Sequence, residues 1–133
     1  EIKADVFFDD VDYSTVDLLV LPGGMPGTVH LGEHQRLAEL LQSFAASDRK
    51  VAAICAAPSV LGGLGILKNK KAACYPGFEE KLEGAQVFTD PVVKDGNITT
   101  SRGVGTAIYF ALELISQLEG EVKARQIKKS IVS

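Results

Sequence analysis

Tryptophan is absent from this sequence, methionine occurs once, and cysteine and histidine occur twice each. Two cysteines, Cys55 and Cys74, cannot build the disulfide framework of a small secreted domain, so a reducing cytosol is the expected compartment. Long apolar runs are also missing. None approaches the roughly 20 residues that a membrane-spanning helix needs, and no membrane partner is expected. The formal charge is −3 and the basic residues are scattered except near the carboxyl end, which argues against nucleic acid as a partner. The acidic group Asp9, Asp10 and Asp12 lacks the glycine turn and distal glutamate of a calcium loop. His30 and His34 lie four apart, with no glutamate beside the first and no third ligand in view, so neither a metal nor another cofactor is expected. No histidine follows Cys55 and no G-x-S-x-G occurs, which leaves a cysteine or serine hydrolase without its usual signal.

What is present suits one domain spanning residues 1–133, with 46% hydrophobic and 23% charged residues. Its organising stretch is Val51 to Pro58, V-A-A-I-C-A-A-P. Four apolar residues read as a buried strand, and Cys55 follows where the chain turns into a helix-compatible run, Ser59 to Leu67. A cysteine held at a strand's carboxyl end and a helix start is placed for thiolate chemistry. The alternative reading is a buried cysteine that packs as a small hydrophobe.

Around this stretch, Ile2 to Phe8 is strand-like. Leu18 to Leu21 is an unalternated apolar run, as in a central parallel strand covered on both faces. Pro22-Gly23-Gly24 ends it, and such glycines can turn backbone N–H groups into an anion or oxyanion pocket. The spacing predicts a helix over Leu31 to Ala46, with Leu37, Leu40, Leu41 and Phe44 on one face. A short strand over Lys71 to Tyr75 stops at Pro76-Gly77, and Phe78 to Leu82 reads as one or two helical turns. Asp95-Gly96 between Val92-Val93 and Ile98-Thr99-Thr100 signals a hairpin. Ser101-Arg102-Gly103 ends that strand, and a helix over Thr106 to Leu118 would use Ile108, Leu112, Ile115 and Leu118 as core positions. Gly120 breaks it, and Glu121 to Lys129 reads as a charged final helix. Strands alternating with helices give an α/β doubly wound fold with a mostly parallel sheet, whose ligands bind beyond the strands' carboxyl ends. Gly23-Gly24, Cys55 and Arg102 all fall at such ends. Arg102 could stabilise a thiolate, an oxidised sulfur or a substrate oxygen, or could form a salt bridge at the strand end.

Four motifs in order, L-V-L-P-G-G-M-P-G (19–27), A-A-I-C-A-A-P (52–58), C-Y-P-G-F-E (74–79) and T-S-R-G-V-G-T-A (100–107), resemble the ThiJ/PfpI family. The resemblance implies a flavodoxin-like sandwich that is usually a homodimer. It implies Cys55 as the reactive cysteine at a nucleophile elbow, Gly23 and Gly24 as backbone amides lining the pocket, and Arg102 at its border. Ala56 stands where the protease-like branch has histidine, which speaks against peptidase activity. Tyr75 stands where another branch has histidine, and at a pKa near 10 a tyrosine is a poor base at neutral pH. The implied activity is that of a cysteine-dependent glyoxalase or deglycase acting on a small carbonyl substrate, an α-oxoaldehyde or its early protein adducts. The implied alternative is an oxidative-stress sensor or chaperone that uses Cys55 oxidation without turnover. The resemblance also implies an amino-terminal βαβ unit carrying a glutamate that hydrogen-bonds the cysteine. Because the chain opens on Glu1 and its one methionine is Met25, that unit is expected on a companion amino-terminal fragment or an earlier segment of the same polypeptide.

Overall fold

Val51 to Ile54 alternate their side chains between two packed layers, and this alternation arranges the molecule. The computed structural model describes all 133 residues. The strand β2 (Lys50–Ile54) lies inside a four-stranded sheet with β1 (Leu18–Leu21), β5 (Val92–Asp95) and β6 (Ile98–Ser101), in the order β1-β2-β6-β5. The strands β1, β2 and β6 run parallel, and β5 pairs antiparallel with β6. A two-stranded parallel ladder, β3 (Lys71–Ala72) with β4 (Gln86–Val87), stands beside them. It is tied to the main sheet by the Ala73 N–H donating to Thr100 Oγ1 at 2.8 Å and the Lys71 N–H donating to Asp95 Oδ2 at 2.8 Å. This is the expected α/β doubly wound, mostly parallel architecture.

One face of the sheet carries Val51, Ala53, Leu21 and Ile98, buried beneath α2 (Gln35–Ala46) and α3 (Pro58–Gly63) through Leu37, Leu41, Phe44 and Leu61. The other face carries Ala52, packed on Phe110 and Leu114 of α4 (Ala107–Glu119), with α5 (Glu121–Ser130) against α4. Burial of these apolar groups is the main stabilising contribution, at about 25 cal/mol per Å² removed from water. The hairpin forms where its D-G signal predicts, with Asp95 opposite Ile98 and Gly96 at φ +61° in the first loop position.

Several local expectations give way. Ile2 to Phe8 forms no strand. It has no partner to pair with, and Phe7 is 79% exposed ahead of a single 3-10 turn at Phe8–Asp10. Leu18 to Leu21 is not central. It pairs only with β2, and Val20 is 44% exposed. The helix expected over Leu31 to Ala46 is two, α1 (Gly27–Glu33) and α2, separated at His34. The backbone of His34 is extended there, and its imidazole Nδ1 accepts the Leu37 N–H at 3.0 Å, capping α2. The Ser59 to Leu67 helix ends early at Gly63, where Gly62, Gly63 and Gly65 (φ +77°) unwind it. In α4 the buried positions are Phe110 and Leu114, while Ile108 and Leu118 are exposed. That helix is apolar on more than one side, and α5 takes part of the remainder.

Gly62 is where α3 meets the single turn Glu79–Lys81 most closely. A Cβ added at Gly62 would stand 2.2 Å from the Lys81 carbonyl oxygen and 2.8 Å from Leu82 Cα, both backbone atoms that cannot rotate away. Gly62→Ala is therefore expected to lower unfolding stability by about 3 kcal/mol. Urea denaturation checks this through the midpoint, and an unchanged midpoint would refute the close approach.

Candidate functional site: the Cys55 elbow

The chain leaves β2 at Ile54 and reverses at Cys55, whose φ is +66°. A non-glycine residue in this region costs free energy and persists only where its surroundings hold it. Two backbone bonds supply the hold. The Cys55 N–H donates to the Ser101 carbonyl at 3.1 Å, and the Cys55 carbonyl accepts the Tyr75 N–H at 2.8 Å. The elbow is thus clamped between the ends of two other segments, and α3 starts three residues later with Pro58 in its first turn.

Gly23 presses on the cysteine from the end of β1. A Cβ there would lie 2.5 Å from Cys55 Cβ, 3.0 Å from the Ile54 carbonyl oxygen and 3.2 Å from Cys55 Sγ. Gly24 follows at φ +93°. Gly23, Gly24, Ile54, Cys55, Gly103, Val104 and Ala107 line a cavity of about 370 Å³. The backbone N–H groups of Gly23 and Gly24 donate to no acceptor within the protein. Unpaired main-chain donors beside a half-buried sulfur are suited to receiving negative charge. No carboxylate or imidazole is among the lining residues.

The structure thus brings Gly23, Gly24 and Cys55 together, with Ala56 buried directly behind the cysteine. Tyr75 and Arg102 stand outside the lining. The Tyr75 ring packs on Gly103, where a Cβ would meet Cδ2 at 3.3 Å, and its N–H serves the clamp. Arg102 is half-buried and its charge acts on Cys74, where it favours the thiolate. The residues that sequence reasoning missed are Val104 and Ala107 in the lining and Thr106 behind it. Only the run from Thr100 to Ala107 could have pointed to them. A larger cavity, about 400 Å³ between β5, α4 and α5, shares no residue with the elbow.

The two cysteines differ in setting. Cys74 packs into the core beneath α2 and α3, while Cys55 opens to the cavity at the start of α4. Burial pushes the Cys74 thiol up to about 11 from an ordinary 9.0, with the Glu79 carboxylate adding to the rise and Arg102 and the Phe78 N–H opposing it. Iodoacetamide at pH 8 is therefore expected to modify Cys55 first, by peptide mapping, and earlier labelling of Cys74 would overturn the assignment. The raised thiol also has a stability consequence. The unfolded chain releases the Cys74 proton near pH 9 and the folded one near pH 11. The folded state then binds more protons than the unfolded between those values, so this contribution is intact below pH 9 and is lost as pH rises toward 11. Cys74→Ala should flatten that alkaline decline in a melting-temperature profile.

An α/β sheet that delivers a strained cysteine to a glycine-walled cavity at its carboxyl edge defines a protein of the doubly wound class, with the cavity where such folds bind their ligands. The chain belongs to the DJ-1/PfpI family, whose model matches residues 1–117. Among its relatives, Protein dj-1beta of Drosophila melanogaster is 37% identical over 134 residues, covering 99% of this chain and 72% of that protein. The crystal structure of Drosophila DJ-1beta superposes with a TM-score of 0.83 at 40% identity, over 87% of this chain and 63% of the other. Protein DJ-1 homolog A of Arabidopsis thaliana is 42% identical over 135 residues, 99% of this chain and 34% of that protein. The glutathione-independent glyoxalase DJR-1.2 of Caenorhabditis elegans is 36% identical over 131 residues, 98% of this chain and 70% of that protein. The chain thus spans from about a third to nearly three quarters of the length of these relatives. No helix is long and apolar enough to cross a membrane.

Proposed function

We propose that the protein is a cysteine-dependent glyoxalase or deglycase acting on small α-oxoaldehydes or their early protein adducts, with Cys55 as nucleophile. The observation that carries this reading is the juxtaposition of the Cys55 sulfur with the unpaired N–H groups of Gly23 and Gly24 in one small cavity. The relative DJR-1.2, a glutathione-independent glyoxalase, supports the reaction class. On this reading the Cys55 thiolate adds to the aldehyde carbon. A C–S bond forms, and the carbonyl π pair moves to oxygen as an oxyanion received by the Gly23 and Gly24 amides. A proton then moves from the former aldehyde carbon to the neighbouring one, giving a thioester, and water releases the 2-hydroxy acid and restores the thiol. The lining holds no acid or base, so the proton is carried by a group that these residues do not supply. Arg102 and Tyr75 act from outside the lining, Arg102 through charge and Tyr75 through the clamp. A homodimer is the assembly this reading carries, with sedimentation as its check.

Methylglyoxal supplied without glutathione tests the proposal, with formation of the 2-hydroxy acid as the readout. A sulfur half-buried among unpaired amides also suits an oxidised cysteine, whose sulfinate oxygens would take the same donors. Peroxide treatment giving a stable sulfinate on Cys55, in protein that does not consume methylglyoxal, would favour that redox-sensing role instead.

A further inference from the structure

The loop Arg102 to Val104 supplies one wall of the Cys55 cavity, and apart from the Tyr75 ring against the buried Gly103 little packing holds it. Val104 is 93% exposed, and Arg102 makes neither a side-chain hydrogen bond nor an ion pair. What holds the loop is polar. The Gly103 N–H donates to Thr106 Oγ1 at 3.0 Å, Thr106 Oγ1 lies 2.7 Å from Ser101 Oγ, and Ser101 Oγ donates to the Pro91 carbonyl at 2.7 Å. The Gly103 carbonyl already accepts the Thr106 backbone N–H at 2.9 Å. Thr106 Oγ1 also lies 3.0 Å from that carbonyl, but the shorter contacts decide the proton's place: the Pro91 carbonyl can only accept and takes the Ser101 proton, so the 2.7 Å contact between the two hydroxyls takes the one from Thr106. The result is a one-directional chain from Gly103 through Thr106 and Ser101 to Pro91.

We infer that Thr106 is a positioning residue for the Cys55 site. Through Ser101 it fixes the Gly103–Val104 wall at the width that admits a small carbonyl compound and turns larger ones away. Two geometric facts support the role. Ser101 is fully buried and its carbonyl holds the Cys55 N–H, so the chain that sets the wall passes through the residue that also clamps the elbow. The chain also consumes the Gly103 N–H, which withdraws that amide from the cavity's donors and leaves Gly23 and Gly24 to receive charge. The assignment rests on Cys55 as the reacting group of the proposed function, but its test does not need turnover.

The test compares Cys55 alkylation by iodoacetamide and by the bulkier N-phenylmaleimide, each rate normalised to free cysteine, in the protein and in Thr106→Val. Valine keeps the shape and removes both the acceptor for Gly103 and the donor to Ser101. The normalised N-phenylmaleimide rate is expected to rise about tenfold in Thr106→Val while the iodoacetamide rate changes little, and Thr106→Ser should restore the original ratio. Where methylglyoxal is turned over, KM should rise more than kcat falls. An unchanged size ratio in a folded Thr106→Val overturns the inference, whether or not the protein proves to be a glyoxalase. A general loosening would accelerate both reagents alike, and that outcome also counts against it. Should Thr106→Val fail to fold, Ser101→Ala breaks the same chain one link further on and must show the same change in ratio.

Discussion

Replacing Cys55 with serine is expected to abolish methylglyoxal consumption, lowering the rate by about a thousandfold or more while leaving the fold intact. Serine is nearly isosteric, and the clamp on residue 55 uses its N–H and carbonyl, not its side chain. The melting temperature should therefore stay near that of the unsubstituted protein. Activity has no such refuge. A serine hydroxyl attacks only when a neighbouring base removes its proton, and the cavity lining contains no histidine, aspartate or glutamate. A thiol ionises far more readily and needs no base in the wall to become the nucleophile. Activity in Cys55→Ser within tenfold of the original would remove Cys55 from the mechanism and with it the proposed function.

The second large effect is expected at Gly23. Its main-chain conformation is not in the left-handed region, so Gly23→Ala introduces no backbone strain of its own and tests contact alone. The added methyl would meet Cys55 Cβ at 2.5 Å, and the Ile54 carbonyl blocks retreat. Either the end of β1 or the elbow must shift. The elbow is held on both sides, so the Pro22–Gly24 turn moves, and the two unpaired amides move with it. A displacement of about 1 Å at such donors can cost on the order of a hundredfold in rate, and overpacking adds about 1–3 kcal/mol of lost stability. Turnover and unfolding measured on the same preparation separate the two losses. Turnover within twofold of the original would show that the amides of Gly23 and Gly24 do not receive the developing charge.

Much of the site was readable because its signals are local. A buried run ending in cysteine, a Pro-Gly-Gly stop and a Ser-Arg-Gly turn each report a strand end, and the α/β pattern places such ends on one edge. The hairpin at Asp95-Gly96 was readable for the same reason, since turn chemistry is decided by adjacent residues. Other features depend on partners distant in sequence. Leu18 to Leu21 has the composition of a central strand, yet position in a sheet is set by neighbours, and composition does not name them. In α4, apolar residues occupy more than one face, so spacing could not choose Phe110 and Leu114 over Ile108 and Leu118. The boundary at His34 depends on a side chain accepting a main-chain N–H, which periodicity does not record. Arg102 was expected at the border of the Cys55 pocket, and the adjacent Gly103 lines it. The arginine's charge is felt at Cys74, a neighbour created only when β3 comes alongside β6. Thr106 reads as part of the run from Thr100 to Ala107 and as the first residue of a helix, and neither reading says which groups its hydroxyl meets.

The clamp on the elbow is made wholly of main-chain groups: the Ser101 carbonyl, the Cys55 N–H and carbonyl, and the Tyr75 N–H. Architecture and reagent are therefore separable heritable traits. A lineage could exchange the side chain at position 55 and keep the cradle, passing from chemistry to simple ligand capture and back by single substitutions that the fold would hardly register.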